Sequence, residues 1–177
     1  GLGDVYKRQP IYYTEAAQIL SYANKIGYAP KFFGCDGLYG LLSIENFDTS
    51  LCEGVMLLTP FAADAQDQAT QDFVKKYKDA YKGETPNQFA ADAYDGVMVL
   101  AELMKKEGIT ADMSASDICD KLKKAITDKD FSYDGLTGTG MKWGEDGAVS
   151  KDPKAVIIKN GAYSALTADD IAASTAQ

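Results

Sequence analysis

Residues Thr14–Gly37 read TEAAQILSYANKIGYAPKFFGCDG, and the order of signals inside this stretch sets the fold class. Ala16, Ile19, Leu20, Ala23 and Ile26 recur at the spacing of one helical face, with Thr14 placed to cap the start and Gly27 the end. Pro30 breaks the pattern, Lys31-Phe32-Phe33 reads as a short buried strand, and Gly34-Cys35-Asp36-Gly37 reads as the turn that ends it. A helix and a strand in succession, each closed by glycine, are the grammar of an α/β protein. Downstream, a short helix is expected around Leu41 to Phe47, followed by Gly54-Val55-Met56-Leu57-Leu58, a second strand of the parallel type closed by Pro60. Phe73, Val74, Tyr77 and Ala80 mark a helix that stops at Gly83. Phe89, Ala93, Val97, Leu100 and Met104 mark the longest helix, whose small, smooth face with Ala90, Ala91 and Gly96 suits packing against a sheet. Ser114 or Ser116 caps a further helix through Ile118, Leu122 and Ile126. The pattern then changes to hairpins. Asp146-Gly147 follows a Met141-Lys142-Trp143 strand, and Asn160-Gly161 follows Ala155 to Lys159. The tail from Thr167 is small and polar, with Thr167 a cap for a frayed helix.

The 177 residues are 46% hydrophobic and 25% charged, with a net charge of −8, the profile of a folded acidic protein. No apolar run approaches the roughly 18 to 20 residues of a membrane span. Cationic side chains stand singly or in small groups in an acidic chain, which argues against nucleic acid as a partner. Histidine is absent and Arg8 is the only arginine. Serine–histidine and cysteine–histidine nucleophiles are therefore excluded, as are imidazole-based zinc sites. Cys35, Cys52 and Cys119 show no C-x-x-C spacing, and neither G-x-G-x-x-G nor G-x-x-x-x-G-K-[ST] is present. No catalytic residue, metal or cofactor is expected.

The first nine residues lack hydrophobic periodicity, and Asp4 to Gln9 reads D-V-Y-K-R-Q, the translation of a transposon end sequence used to tag DNA for shotgun sequencing. Residues 1–9 are expected to be adaptor-derived and to lie outside the fold, with the natural sequence starting near Pro10.

From Pro10 to Tyr163 the chain carries an ordered set of short motifs: Tyr12-Tyr13 before a helix, Gly34-x-Asp36-Gly37 after a strand, Glu53-Gly54-Val55, Phe73-x-x-x-Tyr77 with Pro86, Ala93-Tyr94-Asp95-Gly96-Val97, Asp134-Gly135-x-Thr137-Gly138, and Lys159-Asn160-Gly161. In that order they resemble the C-terminal half of the branched-chain amino acid binding proteins, type I solute-binding proteins of ABC importers. The resemblance implies a truncated type I periplasmic-binding fold: Rossmann-like parallel-sheet lobes with helices on both faces, and antiparallel hairpins at the C-terminus. Residues 10–59 and 139–166 would then belong to the second lobe, 60–138 to the first, and 167–177 to a tail. It implies a non-enzymatic, monomeric, extracytoplasmic receptor, periplasmic or lipid-anchored, that binds a small uncharged amino acid and delivers it to a membrane permease. The alternative is a ligand-sensing domain of a receptor or regulator with the same fold.

An amino acid zwitterion needs an acceptor for its ammonium and an apolar or aromatic wall for its side chain. Asp36, in a glycine-flanked turn at the carboxyl end of a strand, sits where open α/β sheets take ligands. An ordinary turn aspartate bonded to its own backbone explains the same pair of residues. The resemblance favours the ligand role, since the family places an acidic residue in this turn against the ammonium. It also places Tyr12 against the ligand, with Tyr13, Tyr39 and Leu38 near the same mouth. Adjacent aromatics before a helix also serve as a hydrophobic staple, and Leu38-Tyr39 departs from the aromatic that often follows the acidic turn in the family. Asp92 and Asp95 are expected on a solvated or hinge-facing edge, and Lys75 to Lys82 on a solvent face. Cys35 reads as a buried free thiol, with pairing to Cys52 left open.

Overall fold

Helix α1 (Tyr13–Lys25) buries Ala16, Ala17, Leu20 and Ala23 along one stripe, so that its small residues lie flat against the layer beneath. The computed structural model describes residues 6–9 and 11–175. Tyr12 is the N-cap of α1 and makes no side-chain capping bond; Thr14, expected at that position, is already the second helical residue. The other end is as the sequence foretells. Gly27 takes a φ of +67°, the Gly27 N–H bonds Asn24 at 3.1 Å and the Tyr28 N–H bonds Ala23 at 2.8 Å, a glycine-closed helix end.

The layer beneath is a five-stranded sheet in the order β1 (Tyr6–Gln9), β2 (Lys31–Gly34), β3 (Met56–Thr59), β4 (Lys154–Lys159), β5 (Ala162–Ala165). The first three strands run parallel, β4 is antiparallel to β3, and β5 is antiparallel to β4. Tyr6–Gln9, expected outside the fold, thus pairs with β2 as an edge strand. The β4–β5 turn is Asn160-Gly161 with φ of +52° and +72°, the paired left-handed geometry that a two-residue hairpin demands. Leu38, Leu41, Val55, Leu57, Val156 and Ile158 close the core under α1 with Phe32 at its edge. Each such aliphatic side chain contributes about 1.5 to 3 kcal/mol when fully buried. The helix expected at Leu41 to Phe47 shrinks to a 3₁₀ turn, Leu41–Ser43. The last element described is α5 (Ala168–Thr175). Its Asp170 accepts from the Thr167 N–H and hydroxyl, at 3.0 and 2.8 Å, and from Lys159 of β4.

These elements form one compact unit, of residues through Asp67 and from Pro153 onward; residues 68–152 form a second. The resemblance sets the corresponding changes at 59/60 and 138/139. The second unit holds α2 (Gln68–Ala80), α3 (Gln88–Lys106, capped by Asn87) and α4 (Ala115–Ile126, capped by Ser114). Val99, Leu103, Ala125 and Phe131 make one buried cluster in it, with Leu122, Ile126, Tyr133 and Trp143 packed around, and Phe73, Val74, Ala91, Leu136 and Met141 are buried as well. The expected Met141–Trp143 strand is reduced to two isolated bridges, Tyr133 to Met141 and Trp143 to Val149, because glycines at 138, 140 and 144 break the extended run on both sides. Those bridges keep residues 141–149 with the second unit.

Two expectations about α3 are reversed. The buried face carries Ala91, Asp95, Val99 and Leu103, while Val97 is 66% exposed and Leu100 and Met104 are exposed beside it. Asp95 is not solvated but 4% exposed. Its carboxylate accepts the Leu136 N–H at 2.9 Å, the Thr137 N–H at 2.8 Å and the Thr137 hydroxyl at 2.7 Å. These bonds turn the Asp95 side of the helix inward, and Gly135 is required next to it because a Cβ there would lie 2.5 Å from the carboxylate. Asp92 pairs with Lys151 at 2.9 Å.

Candidate functional site

β2 ends at Gly34, and the chain leaves the sheet through Cys35 into a 3₁₀ turn, Asp36–Leu38, closed by the Leu38 N–H on the Cys35 carbonyl (3.1 Å) and the Tyr39 N–H on the Asp36 carbonyl (2.9 Å). Asp36 is exposed at the carboxyl end of a parallel strand. Gly37 lies against the entry to α1: a Cβ there would sit 2.6 Å from the Ile11 carbonyl oxygen and 3.5 Å from the Tyr12 Cα. Only glycine permits that approach, and it seats the turn bearing Asp36 directly on the backbone that carries Tyr12. Tyr12 is itself 64% exposed. A carboxylate and an aromatic ring thus stand on two touching segments, an arrangement that can take a small cation through charge and ring face together.

The remaining sequence candidates lie beneath this surface. Leu38 and Tyr39 are 1% and 3% exposed, in the core of the unit. Tyr13 is half-buried, its ring against Gly40. The Tyr39 hydroxyl accepts the Ala63 N–H at 3.4 Å, and burial, more than any neighbour, pushes its pKa up to about 12. Sequence reasoning missed Tyr163. From β5 it stacks on Tyr39 and accepts the Gly40 N–H at 3.0 Å, a contact across 123 positions that no local pattern signals. Cys35 is exposed rather than buried, because it stands where the strand opens into the turn, and no disulfide forms among the described cysteines. Cys52 is buried, which pushes its thiol up to about 11, with Asp48 adding to the effect. No group of acidic, cysteine or histidine side chains among the described residues is arranged to hold a metal.

A periplasmic binding protein family model matches residues 11–162. The chain belongs to this family. Membership places it among ligand binders rather than catalysts. The match starts just after the segment read as adaptor-derived. Solved structures share the fold. One is a leucine-binding protein of Thermotoga maritima, at 24% identity and a TM-score of 0.70 over 94% of this chain and 45% of that one. A second is a branched-chain amino acid transporter substrate-binding protein of Streptococcus pneumoniae solved with isoleucine, at 24% identity and a TM-score of 0.72 over 90% and 43%. A third is an extracellular ligand-binding receptor of Rhodopseudomonas palustris, at 19% identity and a TM-score of 0.75 over 92% and 47%. The type I periplasmic-binding fold expected from the sequence is thereby established, and the chain spans less than half the length of each of these proteins. No curated protein matches the chain by sequence.

Proposed function

We propose that the chain is part of an extracytoplasmic solute receptor that binds a small uncharged amino acid and hands it to the permease of an ABC importer. The observation that carries this reading is the Gly37 contact, which joins the Asp36 turn to Tyr12 at the end of a parallel strand. Asp36 accepts the ligand's ammonium and Tyr12 lies over it; Tyr13, Leu38 and Tyr39 support the turn from below. Binding energy made by two lobes on one ligand favours a closed form, and that form is what a permease reads. Its family supports a place outside the cytoplasm; in this reading the receptor works there as a monomer, in a periplasm or held by a lipid. No helix among the described residues is long and apolar enough to cross a membrane.

The test is titration calorimetry with uncharged amino acids on the protein expressed from its full reading frame and on its Asp36→Asn variant. Removing one partner of a desolvated charge pair weakens binding by about 100-fold; unchanged affinity with a folded variant would overturn the site. A sensing role in place of transport is the second reading, since a structure of the same fold is an extracellular ligand-binding receptor. A signalling or DNA-binding segment in the same reading frame would decide for it.

A further inference from the structure

Beneath the Asp36 turn lies a stack of tyrosines tied to the backbone. The Tyr163 and Tyr39 rings face each other with centroids 4.4 Å apart and planes at 12°. Gly40, next along the chain, gives its N–H to the Tyr163 hydroxyl at 3.0 Å. It takes a φ of +138° and presses on Tyr13 so closely that a Cβ would lie 2.8 Å from the ring, so the backbone there has one place to go. Tyr39 in turn gives its N–H to the Asp36 carbonyl at 2.9 Å and receives the Ala63 N–H on its hydroxyl at 3.4 Å. A continuous path of bonded groups therefore runs from the β5 side chain to the Asp36 backbone. Gly40 is buried, and a buried N–H stripped of its acceptor is costly enough to move the chain that carries it.

We infer that Tyr163 is a positioning residue for ligand binding: it fixes the Tyr39-Gly40 backbone and so sets the place of the Asp36 carboxylate, without touching the ligand. This rests on the reading of Asp36 as the ammonium acceptor. It gives the closing hairpin a task at the site, because β5 delivers the hydroxyl that accepts the Gly40 N–H at the end of the turn. Tyr163→Phe keeps the stacked ring and removes only the oxygen.

The experiment is calorimetry on the protein expressed from its full reading frame. It uses the tightest-binding uncharged amino acid and the same molecule without its amino group, leucine and isocaproate being the first pair. Tyr163→Phe is expected to weaken leucine by about tenfold and to leave isocaproate unchanged, since only the ammonium reads the position of Asp36. In the Asp36→Asn background the same substitution is expected to add less than about twofold, the mark of two residues acting as one. Equal loss for both ligands, additive losses, or a Tyr163→Phe protein that binds leucine within about twofold of the parent overturns the inference while leaving Asp36 in place. An Asp36→Asn protein that binds normally overturns the ligand reading and this inference with it. If Tyr163→Phe does not fold, amide exchange in the unaltered protein decides: Gly40 protected as strongly as β2 supports the inference, and fast exchange at Gly40 overturns it.

Discussion

The two units of the chain solve the same problem by different means. In the first, α1 lies on a five-stranded sheet and the core is almost wholly apolar, from Leu20 and Leu38 to Leu57 and Ile158. In the second, α3 and α4 pack through a cluster of Val99, Leu103, Ala125 and Phe131, and the loop at 135–137 is held by one buried carboxylate, that of Asp95. The difference teaches where each unit is vulnerable. A sheet with a helix on it loses stability by volume, since any missing methylene leaves a hole. A loop hung on a carboxylate loses it by hydrogen bonds, since three donors lose their acceptor together.

That contrast can be broken with two substitutions read residue by residue through amide exchange. Leu57→Ala is expected to cost the first unit about 2 to 5 kcal/mol and to leave protection in α3 and α4 unchanged. Asp95→Ala is expected to cost about 3 kcal/mol, felt at Leu136, Thr137 and α3, with β2 to β4 unchanged. Protection lost throughout the chain in either variant would show that the units do not melt separately, and the contrast would fall.

Signals that act over a few residues were legible in the sequence. The Gly27 stop of α1, the β2 strand, the Ser114 cap of α4 and the Asn160-Gly161 hairpin all stand where local chemistry put them. The facing of α3 was not legible. Its sequence offers two apolar sides, and the choice is made by Asp95 reaching a loop more than forty residues away. A signal existed: an aspartate centred on an otherwise apolar helix, paired with a Gly- and Thr-rich loop whose amides need an acceptor. At the candidate site the turn, Asp36 and Tyr12 could be read from the chain and its resemblance. That Leu38 and Tyr39 point into the core could not, because alternation within a three-residue 3₁₀ turn gives no face to assign.

The second way to sharpen the contrast is alkaline pH, since the first unit keeps its acidic protons buried. Burial holds the Tyr39 phenol up to about 12 and the Cys52 thiol up to about 11, and raises Tyr163 as well. In the unfolded chain these groups lose their protons at lower pH, so the folded form binds more protons in that window and its stability falls as pH rises. The contribution is complete below about pH 9 and is lost progressively up to about pH 12. Tyr39 alone accounts for about 3 kcal/mol of it. Thermal melting from pH 8.5 to 11.5 should therefore show a steep fall that Tyr39→Phe flattens. A slope unchanged in that variant would place the sensitivity elsewhere, with Tyr133 of the second unit, also raised by burial, the next to test.

The smallest expected effect bears on the face of α3 that the sequence assigned to the core. Ala90, Ala93, Val97, Leu100, Ala101 and Met104 form a continuous apolar side without a charge, opposite Ala91, Asp95, Val99 and Leu103, and nothing stands within 4 Å of where a Cβ on Gly96 would be. A helix apolar on both sides is patterned for burial on both sides, yet among the described residues only the Ala91–Leu103 side is covered. Val97→Lys is accordingly expected to change the stability of this chain by no more than about 0.5 kcal/mol, because the side chain it replaces makes little contact to lose. Leu103→Ala, one and a half turns along on the covered side, is expected to cost about 2 to 5 kcal/mol. Denaturant melts of the two variants separate the faces directly. A Val97→Lys loss approaching that of Leu103→Ala would mean that the exposed side is packed in solution, and the second unit would then have a second core rather than a bare flank.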